Sequence, residues 1–156
     1  MKVIFLDIDG VLNDAYSTER TPLGYIGIDD DKLGNLRKIV SETGAYIVLT
    51  STWKVNWKEG VETDDPDGQY LMKRFAKVGL AIYGKTDDQW VNRGRGITDW
   101  IKAHGVVESW VVIDDIQFKD FPRYGIMKHF VQTSFAHEGL NEELTQKCID
   151  ILNKKE

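Results

Sequence analysis

Apolar residues in this chain follow two patterns, short unbroken runs and stripes at helical spacing, and the two alternate along its length. The runs Val3-Ile4-Phe5-Leu6, Ala45-Tyr46-Ile47-Val48-Leu49-Thr50, Leu80-Ala81-Ile82-Tyr83 and Trp110-Val111-Val112-Ile113 have the length and composition of strands buried on both faces. Residues 129 to 133 predict a short final strand. Between the runs, Leu33, Leu36, Ile39 and Val40 lie on one face of a helix over residues 31 to 43, with Gly44 as its stop. Trp53 and Trp57 are expected to begin a helix, the acidic Pro/Gly segment 60 to 68 reads as a loop, and a helix over 69 to 78 follows. Ile97, Trp100 and Ile101 mark another helix ending near Gly105, and residues 140 to 153 form the closing one. Residues 13 to 28 are a Gly-containing connection. Buried strands alternating with amphipathic helices predict an α/β fold, a central parallel sheet flanked by helices.

Size and charge narrow this picture. With 156 residues and 42% hydrophobic content, the chain suits one domain over residues 1 to 156. The net charge of −5, with acids gathered in Asp29-Asp30-Asp31, Asp64-Asp65-Pro66-Asp67 and Asp87-Asp88, argues against a protein built chiefly to coat nucleic acid or anionic membrane. A local basic site stays compatible with it. Cys148 is the one cysteine, so no intramolecular disulfide forms, and its spacing with Leu144, Ile151 and Leu152 places it on an apolar helical stripe as buried filler. Asp7 interrupts the N-terminal apolar run too early for a signal peptide, and no later run approaches membrane-spanning length. The cytoplasm is the expected compartment.

Three strand candidates end in polar residues: Asp7 and Asp9, then Thr50 and Ser51, then Asp114 and Asp115. Adjacent strands lie roughly 4.8 Å apart, so parallel neighbours bring such ends into one pocket. Alternate strand residues point the same way, so Asp7 and Asp9 converge, and Gly10 lets the backbone turn and approach a ligand closely. Carboxylates this close repel unless a cation or a proton sits between them. Oxygen ligands without histidine or cysteine select Mg²⁺, which keeps waters and substrate phosphate in its shell. No zinc pattern is present, since His104, His129 and His137 are isolated from one another. They are expected to be structural or solvent-facing.

These residues resemble the four ordered motifs of the haloacid dehalogenase (HAD) superfamily of phosphotransferases. Asp7-Ile8-Asp9-Gly10-Val11 is similar to the first motif and Thr50 after Ile47-Val48-Leu49 to the second. A basic residue among Arg93 and Arg95, with Lys85 as competitor, suits the third, and Ile113-Asp114-Asp115 with Asp120 suits the fourth. The chain is closer still to the small HAD domain of bacterial and phage RNA-repair proteins, through Thr50-Ser51-Thr52-Trp53, Arg93-Gly94, Ile97-Thr98-Asp99-Trp100 and Gly139-Leu140. It departs from that pattern at Gly96, where an acid is expected, and at Asp87, which follows Thr86 in place of proline. The resemblance implies a Rossmann-like fold with no large cap domain, only a short loop and helix insert at 54 to 92 between the second and third motifs.

It also implies a Mg²⁺-dependent phosphatase. Asp7 would attack phosphorus to give an aspartyl-phosphate, and Asp9 would protonate the leaving alcohol and then activate water. An Asp at this second position accompanies phosphatases and phosphomutases in the superfamily. The metal ligands would be Asp7, the carbonyl of Asp9 and Asp115 or Asp114, with Thr50 on a phosphate oxygen and Arg93 as the favoured cation. Gly10, Ser51, Arg95, Trp53 and Lys54 are candidate substrate contacts, because the stretch Trp53-Lys54-Val55-Asn56-Trp57-Lys58 interleaves aromatics with cations. Lys119, Arg123 and Lys128 form a second possible basic rim. The expected substrate is a phosphorylated polynucleotide end or a nucleotide. The alternatives are a small-metabolite phosphatase or phosphomutase, and a non-catalytic binding subunit.

Overall fold

The computed structural model describes residues 1–58, 63–87 and 91–154. Five strands, β1 (Lys2–Leu6), β2 (Tyr46–Leu49), β3 (Ile82–Lys85), β4 (Ser109–Asp114) and β5 (Phe130–Gln132), pair in the order β3-β2-β1-β4-β5. Every pair is parallel. Among the described residues four helices flank the sheet, α1 (Asp30–Thr43), α2 (Pro66–Lys77), α3 (Arg93–Ala103) and α4 (Glu142–Leu152). Single 3₁₀ turns occupy Thr52–Asn56, Pro122–Tyr124 and Met127–His129.

The central strand explains the layering. Ile4 and Leu6 of β1 face one side and pack with Leu33, Leu36 and Ile39 of α1, Leu71 and Phe75 of α2, and Cys148, Ile149 and Leu152 of α4. Val3 and Phe5 face the other side with Ile97 and Trp100 of α3, Phe121, Ile126 and Phe130. Each such side chain contributes about 1.5–3 kcal/mol of burial, so both faces of β1 are held. The crossovers β1–α1–β2 and β2–α2–β3 lie on one face, and α3 carries the chain across the opposite face to β4. That change of face is what right-handed crossovers require when strand order reverses. The reversal lies between β1 and β4, so their carboxyl ends bound the crevice where such sheets bind ligands.

Several boundaries differ from the sequence expectation for local reasons. Helix α2 begins at Pro66, not at 69, because the Asp65 side chain accepts a hydrogen bond from Gly68 N at 2.8 Å and proline suits the first helical position. Residues 60 to 62 of the expected loop lie outside the described residues. Strand β3 is displaced to Ile82–Lys85, since Gly84 and Lys85 pair with Val48 and Leu49. The Trp53 helix is a single 3₁₀ turn, and within the connection 13 to 28 Arg20 and Ile26 form an antiparallel bridge. Cys148 is fully buried, and burial pushes its thiol up to about 12. His104 and His129 stack on Trp100 and Trp110, with centroids 3.8 and 3.7 Å apart, and His137 is exposed. No helix among the described residues is long and apolar enough to cross a membrane.

Candidate active site

Leaving β1, the chain places Asp7 against β4, where its N–H donates to the carbonyl of Ile113 at 3.0 Å. The backbone then reverses at Gly10, whose φ of +82° lies in the left-handed region. A Cβ at that position would collide with the Asp115 carboxylate. Asn13 fixes the turn: its Oδ1 accepts from Gly10 N at 2.8 Å, and its Nδ2 donates to Asp9 Oδ1 at 3.0 Å and to the carbonyl of Gly27 at 3.1 Å. Thr133 holds the other side, its hydroxyl donating to the carbonyl of Gly10 at 2.7 Å and its N–H to that of Asp114 at 3.0 Å. Neither Asn13 nor Thr133 stands among the sequence candidates. An Asn three residues after a turning Gly was a readable signal, whereas Thr133 acts from just beyond the end of β5 across 123 positions.

Asp7, Asp114 and Asp115 each offer an oxygen within 4.8 Å of the others. Burial, then the negative charge of Asp114, raises the Asp7 carboxyl well above its usual range against the pull of Arg93. Burial likewise lifts Asp114, to about 6, although Arg93 opposes it. Arg93 Nη1 lies 2.7 Å from Asp114 Oδ2 and 3.3 Å from Asp7 Oδ1, and its guanidinium sits over the Phe118 ring. The second Asp114 oxygen accepts from Ile116 N at 3.0 Å. Asp115 differs, because its carboxylate has no hydrogen bond or ion pair among the described residues. Crowded hard oxygens, with the Asp115 carboxylate unpaired among the described residues and burial raising both neighbouring acids, make a donor set that fits a divalent ion such as Mg²⁺.

Arg93 reaches this point because α3 is capped from elsewhere. Asp120 accepts from Gly94 N at 3.0 Å and from Arg95 N at 2.9 Å, and a Cβ on Gly94 would stand 2.7 Å from Asp120 Oδ1. The Arg-Gly dipeptide thus pairs a cation with the small residue that lets its helix cap approach. Arg95 is brought elsewhere, with an exposed side chain 3.7 Å from Asp99, beside a cavity bounded by Trp57, Lys85 and Trp100. Lys85 Nζ donates to the carbonyls of Lys54 and Trp57 and so braces the 3₁₀ turn. Of these three cations, Arg93 is the one that contacts the acids.

Thr50 continues β2 and donates its N–H to the carbonyl of Leu6 at 2.9 Å. Its hydroxyl is buried and has no hydrogen-bond partner among the described residues. Ser51 caps the 3₁₀ turn, its Oγ accepting from Trp53 N, and buried Lys54 donates to Thr86 Oγ1 at 3.0 Å. Asp9 is exposed and stands apart from the three-carboxylate cluster; its Oδ2 accepts from the Trp53 indole N–H at 3.1 Å. Lys119, Arg123 and Lys128 are exposed on the segment after β4.

Compared with known proteins, residues 3–144 match the model of a family described as the HAD domain in Swiss Army Knife RNA repair proteins. Neither the curated proteins nor the solved structures yield a match. The matched stretch contains all five strands except Lys2, the first residue of β1, and all the side chains gathered at the switch point, and the chain belongs to this family of HAD domains.

Proposed function

We propose that this chain is a magnesium-dependent phosphatase that removes phosphate from a nucleic-acid end or a nucleotide, through an aspartyl-phosphate on Asp7. The observation that carries this reading is the buried Thr50 hydroxyl, without a hydrogen-bond partner among the described residues, at the end of the strand beside the clustered Asp7, Asp114 and Asp115. An orphaned buried hydroxyl costs roughly 1–3 kcal/mol and persists where a ligand supplies its partner. The family description, which names RNA repair, supports a nucleic-acid phosphate as substrate.

A magnesium ion held by Asp7, Asp115 and the carbonyl of Asp9 would supply neutralisation of the phosphoryl charge. The remaining work falls to the chain. An Asp7 oxygen attacks phosphorus as the ester oxygen leaves with a proton from Asp9. Asp9 then takes a proton from the water that attacks the aspartyl-phosphate, which restores Asp7 and releases inorganic phosphate. Arg93 holds Asp7 and offsets charge at the carboxylates, and Thr50 donates to a phosphoryl oxygen. The test is phosphate release from 5′- and 3′-phosphorylated oligonucleotides, mononucleotides and sugar phosphates, with Mg²⁺ or with EDTA. Release that requires Mg²⁺ and is lost in Asp7→Asn is expected; release unaffected by Asp7→Asn contradicts the proposal.

A further inference from the structure

A cavity of about 480 Å³ opens beside Asp9, walled by Tyr25, Ile26, Trp53, Phe135, Thr52 and the start of α2 at Asp67 and Gly68. That volume is within the range of small-ligand sites. We propose that it receives the nucleobase of a nucleoside that leaves as its phosphate is transferred, an inference that rests on the phosphatase reading above. The placement follows from Asp9. A group that protonates the leaving oxygen must lie within hydrogen-bond reach of it, so the body of the leaving group extends into the space that Asp9 borders.

The chemistry of the walls then selects what fits. Tyr25, Trp53 and Phe135 present aromatic surface and Ile26 adds an apolar side, while no lysine or arginine is among the described residues that line the cavity. The charged groups there are Asp9 and Asp67. A bare sugar phosphate offers these walls nothing to stack on, and a second phosphate meets like charge. A neutral flat base suits them, since base–aromatic stacking contributes about 1–3 kcal/mol per base.

The Tyr25 wall is also built in advance. Thr21 N donates to the carbonyl of Tyr25 at 2.8 Å and Tyr25 N to Thr21 Oγ1 at 3.0 Å, closing a hairpin next to the Arg20–Ile26 bridge. Asp67 anchors its tip to α2, accepting from the Thr21 hydroxyl at 2.9 Å and from Leu23 N at 3.0 Å. At the hairpin's base, the Tyr70 hydroxyl donates to Glu19 Oε2 at 2.6 Å and accepts from Ile28 N at 3.0 Å. Tyr25 is 68% exposed although the backbone that carries it is anchored. A hairpin fixed in this way places Tyr25 at the rim and removes the cost of ordering its backbone on binding.

The experiment compares adenosine 5′-monophosphate with ribose 5-phosphate, which share a primary-alcohol leaving group but differ in the base. A kcat/KM ratio of about 10 or more in favour of the nucleotide is expected, with a fall of about 5- to 100-fold in that ratio in Tyr25→Ala, the equivalent of one lost stack. Equilibrium dialysis of both compounds with Asp7→Asn protein in Mg²⁺ reads the same preference without turnover. A 5′-phosphorylated tetranucleotide distinguishes the source of the nucleoside: turnover comparable to the mononucleotide points to strand ends, and much poorer turnover to free nucleotides. Release from both phosphates without preference overturns the base pocket and leaves the phosphatase. Base-dependent binding without release from any substrate supports the pocket and overturns the phosphatase. Equal binding of both compounds overturns the pocket whatever the activity.

Discussion

Replacing Asp114 by Asn tests the electrostatics of the site through stability alone. The Asp114 carboxyl is fully buried, and its pKa is raised from 3.8 to about 6, first by burial and against the opposing Arg93. An acid raised on folding binds its proton more tightly in the native state. Its stabilising contribution is therefore complete below the unfolded pKa near 4 and is lost as pH rises through 6. A shift of about two pH units corresponds to roughly 3 kcal/mol, a large part of the 5–15 kcal/mol typical of a domain. Asp7, raised by burial and by Asp114, works in the same direction. Asp14 works in the other: burial would raise it, but the hydrogen bonds from Lys32, 3.0 Å away, from Tyr16 N and from Ser17, together with the Lys32 charge, jointly outweigh burial and lower it, so its contribution is lost as pH falls. Subtracting the mutant from the wild type removes the Asp14 contribution. Denaturant unfolding in EDTA between pH 4 and 7 should show wild-type stability falling relative to Asp114→Asn by roughly 2–3 kcal/mol. Mg²⁺ should reduce that fall, because metal binding favours deprotonated ligands. A difference between the two proteins that stays constant over this range refutes the reasoning.

Thr50→Val removes a buried hydroxyl that has no hydrogen-bond partner among the described residues, so stability is expected to hold or rise. kcat/KM should fall about 10- to 100-fold, the worth of a hydrogen bond to a charged group; a destabilised, fully active variant contradicts the assignment. Trp53→Phe keeps an aromatic wall but loses the N–H on Asp9. Hydrolysis of an alkyl phosphate, whose leaving group needs a proton, should drop about 10-fold and that of 4-nitrophenyl phosphate clearly less; equal losses point to a merely structural tryptophan. Gly10→Ala meets both a positive φ and the Asp115 carboxylate, so denaturant unfolding should show a loss of more than about 1 kcal/mol, together with reduced turnover.

Strands β1, β2 and β4 are legible in the sequence because burial on both faces demands continuous apolar runs that few other elements need. Strand β3 is shifted because Gly84 and Lys85 have weak strand propensity and are held by pairing with Leu49 and Val48. The start of α3 is hidden for a related reason. Gly94 and Gly96 weaken the helix locally, and the compensating cap comes from Asp120, 26 residues away. Acid pairs at strand ends announce the site, since little else justifies such residues beside a core. The choice among Arg93, Arg95 and Lys85 is not written locally, because it depends on which way each element points its side chain. The hairpin at 20 to 26 is too short to show strand alternation, and its anchor, Asp67, sits in a stretch that reads as an acidic loop.

Trapping the phosphoenzyme tests the central claim most directly. Rapid acid quenching of the wild-type protein with ³²P-labelled substrate and Mg²⁺, followed by peptide mapping, should find hydroxylamine-sensitive label on Asp7 and none when EDTA replaces Mg²⁺. Label on another residue, or active turnover that never labels the protein, would contradict it.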